Sequence, residues 1–229
     1  MSNIIENPVS HIVPSQKKGN HTGAKAHLKT ASVDEAIKLF GQAKHRLLDI
    51  NSWQKISGKG SAEFRLTDKN GHVLKSNRPR VGNLIRIKLP APGNKLGSGY
   101  DWVRIEVFKH VKDILKDEEV YGFRVRPIKN PLKQTETSAH FYTSDASSTF
   151  LLKRTSEILS VMEIGRNEIP NTHPVSFLNK IRNMIVAFSA SLGLAKPQWK
   201  KLVKGILNGS VIQIKRKTNF LIINEPVEE

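Results

Sequence analysis

Apolar positions change period three times along the chain, and each change marks a different kind of element. Residues 1–24 show no periodicity, and with Pro8, Pro14, Gly19 and Gly23 they read as a flexible leader. A short strand is expected at Ala24–Thr30. Ser32 followed by Val33-Asp34-Glu35 is then a helix start, with acids in the first turn and Glu35 completing a capping box. Ala36, Ile37, Phe40, Ala43, Leu47 and Ile50 follow at helical spacing, so an amphipathic helix is predicted over about Val33 to Leu48.

From Trp53 to about Met162 the period is two. Ala62, Phe64 and Leu66 alternate with Glu63, Arg65 and Thr67 before the Asp68-Lys69-Asn70-Gly71 turn. Further strands are expected at Leu84–Leu89, Trp102–Phe108, Glu118–Arg126 and His140–Thr143, with a long strand or strand pair over Ser147–Met162. Sequential strands joined by short turns predict an antiparallel sheet. The stretch from Pro90 to Gly99 is a loop by composition.

Helical period returns after Pro170. Phe177, Leu178, Ile181, Met184, Ile185, Phe188 and Leu192 fall on one stripe, which predicts a long helix over 173–192 ended by Gly193. A second helix starts at Pro197, with Trp199, Leu202, Val203, Ile206 and Leu207 on one face and Lys200, Lys201 and Lys204 on the other. Val211–Ile214 and Phe220–Ile223 then flank the basic tip Lys215-Arg216-Lys217-Thr218-Asn219, a hairpin pattern.

The charge is uneven. The chain carries a formal +17, and residues 69–100 and 169–224 hold seven and nine bases without an acid. Such blocks attract polyanions, although a solvated, colloidally stable surface is the plainer account. There are no cysteines, which removes disulfides, thiolate metal sites and a thiol nucleophile. No apolar stretch approaches the ~20 residues of a membrane span, and Met1–Asn20 lacks the pattern of a secretory signal, so a cytoplasmic protein is expected.

No motif declares a reaction, and the expectation leans away from an enzyme, with no catalytic residue, cofactor or metal assigned. The eight histidines lack metal-ligand spacing. Gly93, Gly97 and Gly99 match neither phosphate-loop pattern. Gly165-Arg166-Asn167-Glu168, between the long strand and the long helix, is a polar cluster. There Arg166 and Glu168 either orient a polar ligand group or pair with each other and brace a turn. Arg124 and Arg126 share a strand face, as do Arg104 and Glu106 on the expected neighbour. Cross-strand pairing satisfies them if that face is solvated. If it is interior, they are buried charges that require partners or a ligand.

The order of strand, amphipathic helix, antiparallel meander, long strand and long C-terminal helix resembles the helix-grip arrangement of the START and polyketide-cyclase-like superfamily. The run Lys29-Thr30-Ala31-Ser32-Val33-Asp34-Glu35-Ala36-Ile37-Lys38-Leu39-Phe40 is similar to the way that family leaves its first strand, and Trp53 resembles its Trp after the first helices. The resemblance implies an α+β domain over 25–195, with a curved antiparallel sheet packed around the 173–192 helix and an apolar cavity between them. Such cavities hold lipids or other hydrophobic small molecules. Candidate ligand contacts are Trp102, Arg124, Arg126, Arg166, Glu168, Phe177 and Ile181. Residues 196–229 form a basic helix-hairpin extension with an acidic tail.

A competing pattern belongs to another class. The segment 173–223 also resembles a helix-turn-helix followed by a wing, in which Lys200, Lys201, Lys204, Lys215, Arg216 and Lys217 would contact nucleic-acid phosphates.

Overall fold

The computed structural model describes residues 12–76, 78–88, 100–132, 142, 144–169 and 198–209. Seven strands form one antiparallel sheet: β1 (Asn20–Lys29), β2 (Glu63–Thr67), β3 (Leu84–Lys88), β4 (Asp101–Asp113), β5 (Glu118–Pro127), β6 (Ser147–Thr155) and β7 (Ile158–Glu168). Their spatial order is β1-β7-β6-β5-β4-β3-β2. All neighbours from β2 to β7 are consecutive in sequence, while β1 joins the far edge through β7. Bulges between Asn20 and Thr22 and between Ile105 and Val107 add local bend to a curved sheet. The architecture is the expected α+β one, in the expected order of elements as far as β7.

Helix α1 (Val33–Leu48) starts where the capping pattern places it. The Ser32 side chain accepts from the Glu35 amide at 3.2 Å, and the Glu35 carboxylate accepts from the Ala31 amide at 3.0 Å. Ala36, Phe40, Ala43 and Leu47 are its buried positions, whereas Ile37 is 47% exposed and lies outside the stripe. A 3-10 turn (Ile50–Ser52) and the short α2 (Trp53–Ser57) follow. The Trp53 indole donates to the carbonyls of Arg46 and Leu47, both at 3.2 Å, so it closes the end of α1 while its ring enters the core.

One face of the sheet carries the main core. Ala24, Ala26, Leu28, Phe64, Leu66, Ile85, Ile105, Phe123, Val125, Phe150, Leu152, Leu159 and Val161 alternate inward and pack with α1 and Trp53. Helix α3 (198–208) belongs to the same core: Leu202, Val203, Ile206 and Leu207 are buried in it, and the Trp199 ring meets Phe64 and Phe150. Division of the chain at 195/196 therefore does not separate this helix from the sheet.

The leader reading is corrected from residue 12 onward. Ile12 is buried on the opposite face of the sheet against Val120 and Leu151, with Val107, Met162 and Ile164 beside them. Asn167, at φ 56°, holds the strap that follows. Its side-chain oxygen accepts from the Lys17 amide at 2.7 Å, its side-chain amide donates to the Ser15 carbonyl, and its own main-chain amide donates to the Gln16 side chain. These partners are about 150 positions away in sequence, which is why local composition reads the strap as loose.

The stretch 147–162 resolves into the strand pair β6 and β7, turned at Ser156 with φ 49°. Strand β7 continues to Glu168, so the Gly165–Glu168 cluster is strand end and not a connecting turn. Tyr142 makes an isolated bridge. The rest of the expected strand at 140–143 lies largely outside the described residues, as do the 173–192 helix and the 211–223 hairpin. No helix among the described residues is long and apolar enough to cross a membrane.

Candidate functional site

Alternation along β7 turns Leu159, Val161 and then Glu163 toward the main core. Glu163 sits between Ala24 of β1 and Phe150 of β6 and is only 1% exposed. Neither of its carboxyl oxygens has a hydrogen bond of good geometry among the described residues, and the Ser148 hydroxyl is the nearby donor. Burial pushes its carboxyl up to about 8, and the charge of Glu168 adds to the rise; the Ser148 hydroxyl and Arg166 oppose it weakly. A second carboxylate lies beside it. Glu168 is buried, accepts from the Thr22 hydroxyl at 2.9 Å, and is likewise raised, by burial first.

Gly165 makes room for this pair. A Cβ there would stand 2.3 Å from a Glu168 carboxyl oxygen and 2.4 Å from the Thr22 hydroxyl. The missing side chain therefore marks the spot on the inner face where the Glu168–Thr22 pair lies. Tyr142 closes the group: burial first, then the charges of Glu168 and Glu163, raise its phenol well above the ordinary value. The result is an inner-face corner with two carboxyl groups and the hydroxyls of Thr22, Ser148 and Tyr142, beside the apolar core. At neutral pH Glu163 holds its proton, so the corner offers a neutral carboxylic acid beside Glu168, whose carboxyl burial also raises.

The residues expected from sequence are divided between the two faces. Glu168 is in the corner, and Arg166 acts on both of its acids while donating to the Gly165 carbonyl at 3.1 Å. Arg124 and Arg126 are on the opposite face, where both pair with Glu106 at 3.2 and 2.8 Å. Arg124 also donates to the Ile12 carbonyl, and Arg126 to the carbonyls of Ser144 and Asp145. Their charges are thus answered across strands and by backbone. Arg104, on their side of β4, is exposed. Trp102 is buried and pairs with Arg86, on the face opposite Ile85 and Val103. Phe177 and Ile181 lie outside the described residues.

Glu163 escaped the sequence reading. Its signal is present: Leu159-x-Val161-x-Glu163 puts an acid on the apolar phase of an alternating strand. It becomes informative only once that phase is known to face the core.

Lys200, Lys201 and Lys204 are exposed on α3, and Lys215, Arg216 and Lys217 lie outside the described residues. Because the other face of α3 is committed to the sheet core, it is not a free-standing recognition helix. The helix-turn-helix reading gains no support here.

Three solved structures overlay this one loosely. An uncharacterized protein from Bacillus thuringiensis gives 17% identity and a TM-score of 0.33 over 82% of this chain and 100% of its own. Ara h 8.0201 gives 10% and 0.33 over 83% and 100%. Ginseng major latex-like protein 151 from Panax ginseng gives 12% and 0.28 over 76% and 98%. No family profile and no curated protein matches the sequence. Overlays this loose transfer neither a family nor a ligand. The fold rests on the strand order and register given above.

Proposed function

We propose that this protein binds a hydrophobic small molecule against the inner face of its sheet, with Glu163 and Glu168 as the polar anchor. The observation that carries the reading is the buried Glu163 carboxyl, whose oxygens have no hydrogen bond of good geometry among the described residues. A carboxyl left so is costly to a fold, by ~1–3 kcal/mol for the unmade bond alone, and function is a common reason to retain one. The surrounding surface is right for an apolar body: Ala24, Ala26, Phe150 and Val161 flank the acid on three adjacent strands. Ligand sites of this kind are mostly apolar with a few placed polar groups. The helix-grip resemblance points the same way.

Arg124, Arg126 and Trp102 are left out of this site because they occupy the other face. Arg166 enters it as the cation that tempers both acids.

The test is displacement of N-phenyl-1-naphthylamine fluorescence, together with native mass spectrometry of gently purified protein. An apolar probe should bind with one-to-one stoichiometry, and Glu163→Leu, which replaces the anchor with a side chain of similar size, should weaken polar-headed ligands. A folded protein that takes up no apolar probe would overturn the reading.

A further inference from the structure

We infer that the polar end of the ligand is a protonated amine seated between Glu163 and Glu168. This rests on the binding reading above and specifies the ligand's chemical class.

The corner holds more acceptor than donor capacity. Four carboxyl oxygens face three hydroxyl groups, those of Thr22, Ser148 and Tyr142; the Thr22 proton is spent on Glu168, and neither Glu163 oxygen has a hydrogen bond of good geometry among the described residues. An ammonium group brings up to three donors and no acceptor, which is the complement of that set. Charge selects the same group. The charged or titratable side chains acting on Glu163 are Glu168, Arg166 and, from the 142 bridge, Tyr142. Strands β1 and β6 present Thr22, Ala24, Ser148 and Phe150 to the same corner, none of them ionisable. Two acids thus stand against one arginine, and one added positive charge balances the corner once Glu163 is ionised. An organic carboxylate would add a negative charge beside two acids in a desolvated place. An alcohol would bring only one donor and no charge to draw the proton from Glu163.

The proton inventory follows. In the free protein Glu163 holds a proton at neutral pH, since its carboxyl is pushed up to about 8. Seating an ammonium favours the carboxylate, so the Glu163 proton leaves to solvent as the amine binds. Affinity then rises about fifty-fold between pH 6 and pH 8, the ratio of ionised fractions for a group of that pKa. It falls again above pH ~10, where the amine itself loses its proton.

Three ligands of one chain length decide the matter by calorimetry at pH 6, 7 and 8: decylamine, decanol and decanoic acid. Buffers of different ionisation enthalpy report the protons released. The expected result is decylamine tightest at pH 8, with close to one proton released per amine bound at pH 6. Glu163→Gln should abolish the pH dependence and lower decylamine affinity at least tenfold, with decanol unchanged. Should that variant not fold, proton release in the parent protein still decides. Decanol or decanoic acid binding as tightly as decylamine at pH 8, or a pH-independent decylamine affinity, would overturn the amine assignment and leave apolar binding standing. If none of the three binds, both readings fall.

Discussion

Gly205 of α3 lies against the main-chain carbonyl of Ile56 in α2 so closely that a Cβ at that position would stand 2.3 Å from the carbonyl oxygen. The backbone of one helix touches the backbone of the other, and only the absent side chain permits it. This contact sets how deeply Leu202, Val203 and Ile206 enter the core.

Gly205→Ala pits two effects against each other. Alanine favours an exposed helix by about 1 kcal/mol over glycine. Overpacking against an immovable carbonyl costs ~1–3 kcal/mol and displaces the helix. Burial of α3 makes the second effect win. Chemical denaturation should show a net loss of up to about 2 kcal/mol, with a shift in the fluorescence of Trp199, which contacts Phe64 and Phe150. Equal or greater stability would mean that α3 docks elsewhere.

Arg46 holds the other end of the same helix. Its guanidinium donates to the carbonyls of Ile206 and Leu207, at 2.9 and 3.0 Å, where the helix has carbonyls left over. Arg46→Met keeps the aliphatic stem and removes both bonds. A loss of about 1–2 kcal/mol is expected, together with faster amide exchange in 198–208. Unchanged exchange there would remove the capping role.

Glu163 makes stability depend on pH in a stated direction. The unfolded carboxyl titrates near its ordinary value, 4.5, and the folded one near 8. Between these values the native state binds a proton that the unfolded state has lost, so stability falls as pH rises through this window. Below about 4.5 both states are protonated and the penalty is absent; above about 8 it is complete, on the order of several kcal/mol. Glu163→Gln should therefore be more stable than the parent at pH 8 to 9. The advantage should shrink toward zero near pH 4. Parallel melting curves for the two proteins across that range would show that the carboxyl is not buried.

Asn167 tests the strap. Asn167→Gly suits the φ of 56° and loses only the side-chain bonds to Ser15, Lys17 and Lys18; Asn167→Ala loses the same bonds and adds left-handed strain. Both should expose residues 12–19 to limited proteolysis. The alanine variant should be less stable than the glycine one by roughly 1 kcal/mol. Resistance equal to the parent in both variants would show that Ile12 alone holds the strap.

Local patterns in the sequence were enough for α1, whose cap, acid-rich first turn and Phe40–Ala43–Leu47 spacing all agree, and for β5 by its alternation; they located β4 but not its full length past the bulge, and left open whether 147–162 is one strand or the pair β6 and β7. The same alternation located Arg124 and Arg126 on one face but could not say which face was wet; Glu106, reached across a bulge, answers that in three dimensions. The strap and the acidic corner were not legible because their partners come from opposite ends of the chain. Ser15 has no local reason to be ordered until Asn167 reaches it. An acid at 163 looks like any solvated strand residue until β1 and β6 enclose it.

The corner's two halves also set a clock. Thr22 and Glu168 are 146 positions apart, and among the described residues strand β1 pairs with β7 alone. At synthesis rates of ~5–20 residues per second, β1 waits about 7–30 s for its partner to be made. During that time its alternating Ala24, Ala26 and Leu28 present one apolar edge with nothing to pair against. The two acids come together with Thr22 only when β7 pairs with β1, so the corner is assembled late in synthesis.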